Sequence, residues 1–187
     1  MCGRYQFTAV ESRELQEILR AVERNMERPA RTGEIFPTNE AVILTEHGSE
    51  IAPSLCAWGF PGFGKNRTVI NARAETAAEK PTFRKSLEAR RCVVPASGFF
   101  EWDEKKEKHL FTLPNSKELY MAGLWNAFAG EPHFVILTTA ANPSVAPIHH
   151  RMPVVLERDA VLPWLTNPAA SARILTAVPP ALQCQTA

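Results

Sequence analysis

The sequence predicts an α+β fold, in which a single domain of curved, barrel-like antiparallel β-sheets is flanked by short helices. Its 187 residues correspond to one domain, since domains hold about 100 to 200 residues. Hydrophobic residues make up 45% of the chain and charged residues 22%, which is typical of a globular protein and excludes a disordered one. The 15 prolines, spread from Pro29 to Pro180, divide the chain into short elements and exclude long bundle helices.

Hydrophobic periodicity locates the individual elements. Apolar residues at helical spacing between Leu15 and Met26 predict the first helix, with Thr8 and Glu11 as a capping box before it. Shorter helices are predicted at 82–90, 159–165 and 169–177. Apolar runs bounded by glycine or proline predict strands at 41–44, 51–58, 68–71, 92–95, 98–102, 110–113, 119–125, 134–139 and 153–156. The gaps rarely leave room for a crossover helix, so antiparallel connections are favoured.

The ends of the chain and its linkers indicate how it is organised. We expect a single domain over residues 1–187, in which the tail from about residue 179 is free to be disordered. The segment 59–64, rich in glycine and proline, predicts a loop. No apolar stretch approaches the roughly 18 to 20 residues that span a bilayer, and the N-terminus lacks the apolar core of a signal peptide. We therefore expect a cytoplasmic protein that contacts no membrane.

The charge balance and the cysteine spacing limit which nucleic acids, metals and cofactors the chain is expected to bind. The chain has 21 lysines and arginines against 20 acidic residues, so a nucleic acid would have to be bound by a local basic patch. The cysteines, which lack the short spacings of zinc and redox pairs, are Cys2, Cys56, Cys92 and Cys184. Cys56 and Cys92 lie in apolar runs, where buried, unreactive thiols are expected. We expect neither a metal nor a cofactor.

Cys2 differs from the other cysteines because of its place in the chain. Removal of Met1 would leave Cys2 with an α-amine and a thiol on adjacent carbons. The pKa of an α-amine is about 8 and that of a lysine about 10.4. About a tenth of the α-amine is therefore neutral and nucleophilic at neutral pH. Such an amine attacks an aldehyde, and the thiol can close the resulting imine to a five-membered thiazolidine. The alternative is that Cys2 is only a small residue at a chain end.

Two further segments carry groups suited to acid–base chemistry. Glu101 lies in the apolar aromatic segment 97–102, where burial would raise the pKa of its carboxyl toward the general-acid range. A position on an edge strand facing water is the alternative. His149 and His150 precede Arg151 in a proline-bounded turn, where one imidazole would act as acid or base and the other would support it. A metal site is the alternative there, although adjacent histidines point apart in an extended chain.

The remaining candidates are an amide, a guanidinium and several aromatic rings. Asn71 and Arg73 lie two residues apart at a predicted strand end, so they share one side of the strand and can orient a nucleophile and hold a phosphate. A salt bridge between Arg73 and Glu75 is the alternative. Trp58 and Trp102 adjoin the predicted loop and the Glu101 segment, where bases can stack on them. The histidines expected at the surface are His47, His109 and His133.

Four segments carry a family resemblance, in order along nearly the whole chain. They read MCGRY at 1–5, NARAET at 71–76, RCVVPASGFFEW at 91–102 and HHRMP at 149–153. Together they closely resemble the SOS-response-associated peptidase (SRAP) family. The resemblance implies the SRAP fold and a protein that recognises abasic sites in single-stranded DNA and bonds covalently to them through the terminal cysteine. It implies a lyase-like crosslinking activity without a cofactor, and we expect the protein to act as a monomer that becomes nucleoid-associated when bound to DNA.

The same resemblance assigns roles residue by residue. Cys2 would be the nucleophile and Asn71 would orient it. Glu101 would be the acid and base on the deoxyribose, and His149 would assist proton transfer. The residues that would contact DNA are the phosphate-binding Arg4, Arg73 and Arg151, the base wedge at Pro37 or its neighbour Phe36, and the stacking faces of Trp58 and Trp102.

Other functions remain open from the sequence. Cysteine, glutamate and histidine together can cut a peptide bond, foremost the bond between Met1 and Cys2 in cis. Class II glutamine amidotransferases also begin Met-Cys-Gly, but this chain has no Asn-Gly dipeptide for the expected oxyanion hole. A noncovalent single-strand binder, in which Cys2 is incidental, is the last alternative.

Overall fold

The computed structural model describes residues 2–26, 29–48, 50–62, 64 and 67–187. Its α-helices are α1 (Arg13–Met26), α2 (Pro81–Ala89), α3 (Val161–Thr166) and α4 (Pro168–Thr176), and short 3₁₀ turns lie at Ala74–Thr76 and Arg158–Ala160. Each predicted helix is present within one turn of its predicted bounds. In the described part of the chain, no helix is both long and apolar enough to cross a membrane.

Most of the described strands are short, as the proline content predicts, although the longest have 10 residues. The strands are β1 (Tyr5–Phe7), β2 (Gly33–Ile35), β3 (Glu40–His47), β4 (Glu50–Trp58), β5 (Phe60–Pro61), β6 (Thr68–Val69), β7 (Asn71–Arg73), β8 (Arg91–Ala96), β9 (Gly98–Trp102), β10 (Lys108–Thr112), β11 (Leu119–Phe128), β12 (Glu131–Ala140), β13 (Arg151–Pro153), β14 (Val155–Leu156) and β15 (Gln183–Thr186). Part of the predicted loop at 59–64 is strand β5, paired with β6. Residue 63 of that loop lies outside the described residues, as does Met1.

A closed five-stranded barrel forms the centre of the fold. Its strands pair in the order β12, β4, β3, β8, β11 and back to β12. The predicted α+β class and the barrel-like sheets are therefore confirmed. The antiparallel prediction fails where β12 pairs in parallel with β4 and with β7. The long chain between β4 and β12 makes this possible, because it includes α2 and can return to the same end of the barrel.

A second sheet, in the order β15, β10, β9, β1, β2, packs against the barrel. Its inward side chains include Tyr5, Phe99 and Phe111, all buried, and the ring of Tyr5 contacts barrel residue Trp58 with centroids 5.2 Å apart. Burial of large aromatic rings at this contact stabilises the joint between the two sheets. The sheet thereby brings the N-terminal residues against the barrel.

The C-terminal tail forms the outer strand of that sheet, which corrects the expectation of a disordered tail. Strand β15 pairs with β10, and Leu182 before it is buried. The side-chain amide of Asn142 donates to the carbonyls of Pro179 and Pro180, at 3.0 and 2.9 Å. These partners are distant in sequence, so the tail itself contains no sign of them.

The start of α1 also differs from the expectation. The helix begins at Arg13, and the hydroxyl of Ser12 accepts the backbone N–H of Leu15 at 3.0 Å. Ser12 is therefore the N-cap, and the predicted capping box of Thr8 and Glu11 is wrong. The backbone N–H of Thr8 instead donates to the hydroxyl of Ser97, which lies between β8 and β9.

Candidate functional site

Cys2 lies between the second sheet and the barrel. The backbone N–H of Phe100 donates to the carbonyl of Arg4 at 2.9 Å, which places residues 2–4 beside the end of β9 that carries Glu101. From the barrel side, the amide Nδ2 of Asn71 donates to the carbonyl of Cys2 at 2.9 Å. The structure thus brings together two residues that are 69 positions apart in sequence.

The Cys2 thiol is withdrawn from solvent. Cys2 is fully buried, and its Sγ donates to the carbonyl of Arg4 at 3.7 Å. Burial, followed by the nearby negative charge of Glu101, raises the pKa of the Cys2 thiol above its ordinary value. The resting thiol is therefore protonated, and it needs a proton acceptor when it reacts.

Glu101 is buried rather than turned to water, which settles the two alternatives for this residue. It lies on the same inward side of β9 as Phe99, and only 3% of its surface is exposed. Burial raises the pKa of its carboxyl above the ordinary 4.5, and a hydrogen bond from the backbone N–H of Trp102 acts in the opposite direction. A carboxyl with a raised pKa beside a thiol is suited both to donate and to accept a proton.

His149 and His150 stack on each other, with ring centroids 4.4 Å apart. The rings can stack because the chain is not extended here, which agrees with the turn predicted from the flanking prolines. Nδ1 of His149 lies 2.9 Å from the backbone nitrogen of Arg151 and 3.1 Å from its carbonyl oxygen, so the backbone of Arg151 holds the ring in place. Burial is the main cause that lowers the pKa of His149, and the neighbouring His149 is the main cause that lowers the pKa of His150. Both rings are therefore neutral at neutral pH.

The guanidinium of Arg151 is already paired. Its Nη1 and Nη2 donate to the two carboxylate oxygens of Glu75 at 2.6 and 2.9 Å, and Nη2 also donates to the carbonyl of Thr138 at 2.6 Å. The alternative salt bridge from Arg73 to Glu75 is therefore replaced by one from Arg151. Arg73 itself is exposed at the end of β7, on the side of the strand that Asn71 shares.

Arg4 lies among aromatic rings. Its guanidinium carbon is 4.0 Å from the ring centroid of Phe36 and 5.1 Å from that of Trp102, and Nη1 donates to Glu34 at 3.3 Å. The contacts with the ring faces are cation–π interactions. Phe36 is 36% exposed and Pro37 is half-buried beside it, so both wedge candidates lie next to Arg4 at the surface.

Trp58 and Trp102 differ in exposure, and this corrects one of the predicted stacking faces. Trp58 is fully buried between Tyr5 and Phe134, and its indole N–H donates to the carbonyl of Ile70 at 3.0 Å. It offers no face to a base, because both the ring and its polar atom are used inside the fold. Trp102 is half-buried and remains a candidate.

A second cluster of titratable groups lies in the β9–β10 hairpin. Ligand atoms of Asp103, Glu107 and His109 lie within 4.8 Å of one another. His109 is buried, contrary to the expectation of a surface position, because Asp103 and Cys184 contact its two ring nitrogens at 3.4 and 3.7 Å. The Asp103 carboxylate also accepts the backbone N–H of Glu107, so these contacts explain the cluster as hairpin structure and we assign it no metal.

Cys56 and Cys92 are buried as expected, and His47 is exposed. His133 is half-buried, with Nδ1 against the carbonyl of Gly59 at 2.8 Å. Sequence reasoning did not predict that Glu34 binds Arg4 or that Thr138 binds Arg151. It also offered Arg73 as the partner of Glu75, whereas the partner is Arg151. No local pattern points to these contacts, since Glu34 is 30 residues from Arg4 and Glu75 is 76 residues from Arg151.

This fold and this cluster define a class of proteins with an N-terminal cysteine held between a barrel and a covering sheet. The family model for SOS response associated peptidase (SRAP) matches residues 1–186, so the chain belongs to the SRAP family. The resemblance found in the sequence is thereby confirmed.

Individual relatives agree with this assignment. The chain is 36% identical over 148 residues to the abasic site processing protein YoqW of Bacillus subtilis, a match that covers 72% of this chain and 66% of YoqW. The chain thus matches just under two thirds of the length of that relative. It is 27% identical over 176 residues to the abasic site processing protein YedK of Escherichia coli, covering 88% of this chain and 79% of YedK. A crystal structure of a Bordetella bronchiseptica protein shares the fold, with a TM-score of 0.78, 24% identity, and coverage of 100% of this chain and 99% of the other.

Proposed function

We propose that this chain, once Met1 is removed, captures abasic sites in single-stranded DNA as a covalent thiazolidine on Cys2 and so shields the lesion. The observation that carries the proposal is the position of Cys2, whose carbonyl is held by Asn71 at 2.9 Å and whose thiol lies beside the buried carboxyl of Glu101. The relatives named as abasic site processing proteins support the same substrate.

Ring opening is the first step that Glu101 can assist. An abasic deoxyribose is mostly a closed hemiacetal, which hides its aldehyde. The buried carboxyl donates its proton to the ring oxygen, the bond between that oxygen and C1′ breaks, and the C1′ hydroxyl loses its proton to give the aldehyde. General acid catalysis of this kind is typically worth ~10²- to 10⁴-fold in rate. Glu101 is left as a carboxylate, ready to accept a proton in a later step.

Capture follows at the liberated chain end. The α-amine of Cys2 adds to the aldehyde carbon, and loss of one water gives an imine. The thiol then adds to the imine carbon, its proton leaves to a neighbouring base, and the imine nitrogen gains a proton, which closes the thiazolidine. Asn71 fixes the Cys2 backbone during these steps, and neutral His149 assists proton transfer.

The strand itself would be held around Cys2. Arg4, Arg73 and Arg151 are the candidates for phosphate contacts, which position a strand without reading its sequence. Phe36 or Pro37 is the candidate base wedge, and Trp102 is the stacking face. Trp58 is left out because it is buried. The protein acts as a monomer in this proposal, with no metal or cofactor taking part.

The test is incubation of processed protein with a single-stranded oligonucleotide that carries one abasic site. We expect a denaturation-resistant adduct whose intact mass equals protein plus oligonucleotide minus one water. Cys2→Ser keeps the amine, so it should give an imine that borohydride traps but little stable adduct without borohydride. A wild-type protein that forms no adduct, or a Cys2→Ser adduct as stable as that of the wild type, would contradict the proposal. Equal binding of abasic and intact strands by Cys2→Ala would favour a noncovalent binder.

A second candidate activity is removal of Met1 in cis. The raised pKa of the Glu101 carboxyl beside Cys2 favours it, because hydrolysis of that peptide bond needs a group that moves protons. The test is the N-terminal mass of a Glu101→Ala variant. Retained Met1 in that variant alone would support self-processing, whereas Met1 lost from both proteins would assign the step to an aminopeptidase of the host.

A further inference from the structure

We propose that Glu75 is a built-in competitor for DNA phosphate at Arg151. Its carboxylate occupies the face of the guanidinium that a phosphate would use, so a strand gains this contact only by displacing Glu75. The inference rests on the proposed function in one respect, since it assigns Arg151 to a phosphate of the bound strand.

The geometry of the pair supports competition. The two nitrogens Nη1 and Nη2 of Arg151 meet the two oxygens of Glu75 at 2.6 and 2.9 Å, which is a bidentate fork. Carboxylate and phosphate oxygens accept this fork with the same geometry, so they exclude each other from it. The carbonyl of Thr138 binds Nη2 at 2.6 Å from within the fold, which keeps the guanidinium in place when the outer partner changes.

Exposure indicates which partner leaves. The side chain of Arg151 is 12% exposed, whereas that of Glu75 is 45% exposed. Arg151 is also anchored at the start of β13, while Glu75 lies in the short 3₁₀ turn at the surface. Glu75 can therefore turn out into water, where a carboxylate is well solvated. The guanidinium would be left nearly buried without an anion, a costly state that a phosphate would relieve.

The neighbouring charges fit the same role. Arg73 pairs with Thr138 across the strands, and the positive charges of Arg151 and Arg73 both act on the Glu75 carboxylate. Glu75 thus offsets part of the combined field of these two cations in the free protein. A strand that does not place a phosphate over Arg151 meets that reduced field. Glu75 therefore lowers the affinity for strands in general, including those that place a phosphate at Arg151.

The test measures noncovalent binding of an intact single-stranded oligonucleotide, without an abasic site, by fluorescence anisotropy over a series of salt concentrations. Glu75→Gln should bind about fivefold to tenfold more tightly than wild type at low salt, with a salt slope steeper by about 0.7 to 1, because one more phosphate is contacted. Glu79→Gln is the matched control, since it removes the same charge four residues further along the same exposed segment. The control should change the affinity less than about twofold and leave the slope unchanged.

A double variant tests whether the tighter binding of Glu75→Gln depends on Arg151. Adding Arg151→Gln to Glu75→Gln should return the affinity to the wild-type value or below it. Equal binding by Glu75→Gln and Glu79→Gln, weaker binding by Glu75→Gln than by wild type, or a double variant as tight as Glu75→Gln would each overturn the proposal. Should Glu75→Gln fail to fold in a thermal melt, Glu75→Asp replaces it. The shorter carboxylate should give an intermediate affinity, and wild-type affinity would overturn the proposal.

The same measurements separate this inference from the proposed function. Intact strands form no thiazolidine, so the affinities and salt slopes are obtained whether or not Cys2 reacts. A wild-type protein that fails to form the covalent adduct while Glu75→Gln still binds more tightly would overturn only the capture reaction. Covalent capture by the wild type without any effect of Glu75→Gln would overturn only the role of Glu75.

Discussion

Glu101 on the second sheet and Arg151 on β13 both adjoin the stacked histidines, and the fold treats their charges in opposite ways. Burial makes the charge of Glu101 unfavourable and raises the pKa of its carboxyl. The charge of Arg151 is instead paired, because Nη1 donates to Glu75 and Nη2 donates to Glu75 and to the carbonyl of Thr138. A group that exchanges protons gains from burial, whereas a group that binds an anion must stay ionised. The sheet side of the site is therefore suited to proton transfer and the barrel side to holding a charged strand.

The strongest test of the sheet side is Glu101→Gln. Glutamine cannot donate the proton that opens the sugar, so the rate of capture of an abasic oligonucleotide should fall by ~10²- to 10⁴-fold in single-turnover gel assays. Glu107→Gln, at an exposed position of the same hairpin, is the control and should keep the wild-type rate. A Glu101→Gln rate within about threefold of wild type would remove Glu101 from the acid–base role.

The same variant should be more stable than wild type at neutral pH. The folded-state pKa of the Glu101 carboxyl lies above the unfolded value of 4.5, so the folded state binds more protons and the free energy of unfolding falls as pH rises between the two values. Glutamine carries no such cost. Urea unfolding at pH 7 and pH 4 should therefore show a gain for Glu101→Gln at the higher pH that shrinks at the lower pH. A loss of stability at pH 7 would contradict the assignment.

The tryptophans sharpen the comparison between an interior and a surface position. Trp58→Ala should lower the free energy of unfolding by about 3 to 5 kcal/mol, since it leaves a cavity where sheet and barrel meet. Trp102→Ala should cost about 1 kcal/mol or less in stability while weakening strand binding severalfold, because its ring is partly exposed. Urea denaturation and anisotropy measure the two effects. A Trp58→Ala protein of wild-type stability would show that its burial contributes little.

The pH dependence of the free energy of unfolding tests the burial of His149. Its folded-state pKa is lowered below the ordinary 6.5, mainly by burial, so the unfolded state takes up a proton first as pH falls. Its contribution to stability is fully present above pH 6.5 and is lost as pH falls from 6.5 toward the folded-state value. His149→Gln should therefore lose less unfolding free energy between pH 7.5 and 5.5 than wild type does. His47→Gln, at an exposed position of β3, is the control, and an equal loss in all three proteins would contradict the prediction.

The smallest expected effect is that of Arg73→Ala on the barrel side. Its guanidinium is exposed, so its loss should weaken binding of all strands alike and lower the salt slope by about one. Arg20→Ala, on the exposed face of α1, is the control. An unchanged slope would remove Arg73 from the phosphate contacts.

Particular residues show how far the sequence could go. The helix between Leu15 and Met26 and the strands of the barrel follow from periodicity, which is a local property, and the structure contains them. Cys2 and Glu101 were found because an N-terminal cysteine and a carboxyl among aromatic residues are unusual whatever surrounds them. The burial of Trp58 and the pairing of β15 needed partners that are distant in sequence. Neither feature can be predicted from the neighbouring residues in the sequence.

The sequence by itself determined the elements, the family and the kinds of chemical group available, because side-chain chemistry and the periodicity of strands and helices are fixed by neighbouring residues. Only the tertiary structure decided which of those groups are buried, paired or exposed. In the folded chain Trp58 and Glu101 are buried, Arg73 is exposed, and Arg151 is paired with Glu75. The reason is physical, since desolvation and ion pairing depend on the distances between side chains, and closure of the barrel sets those distances.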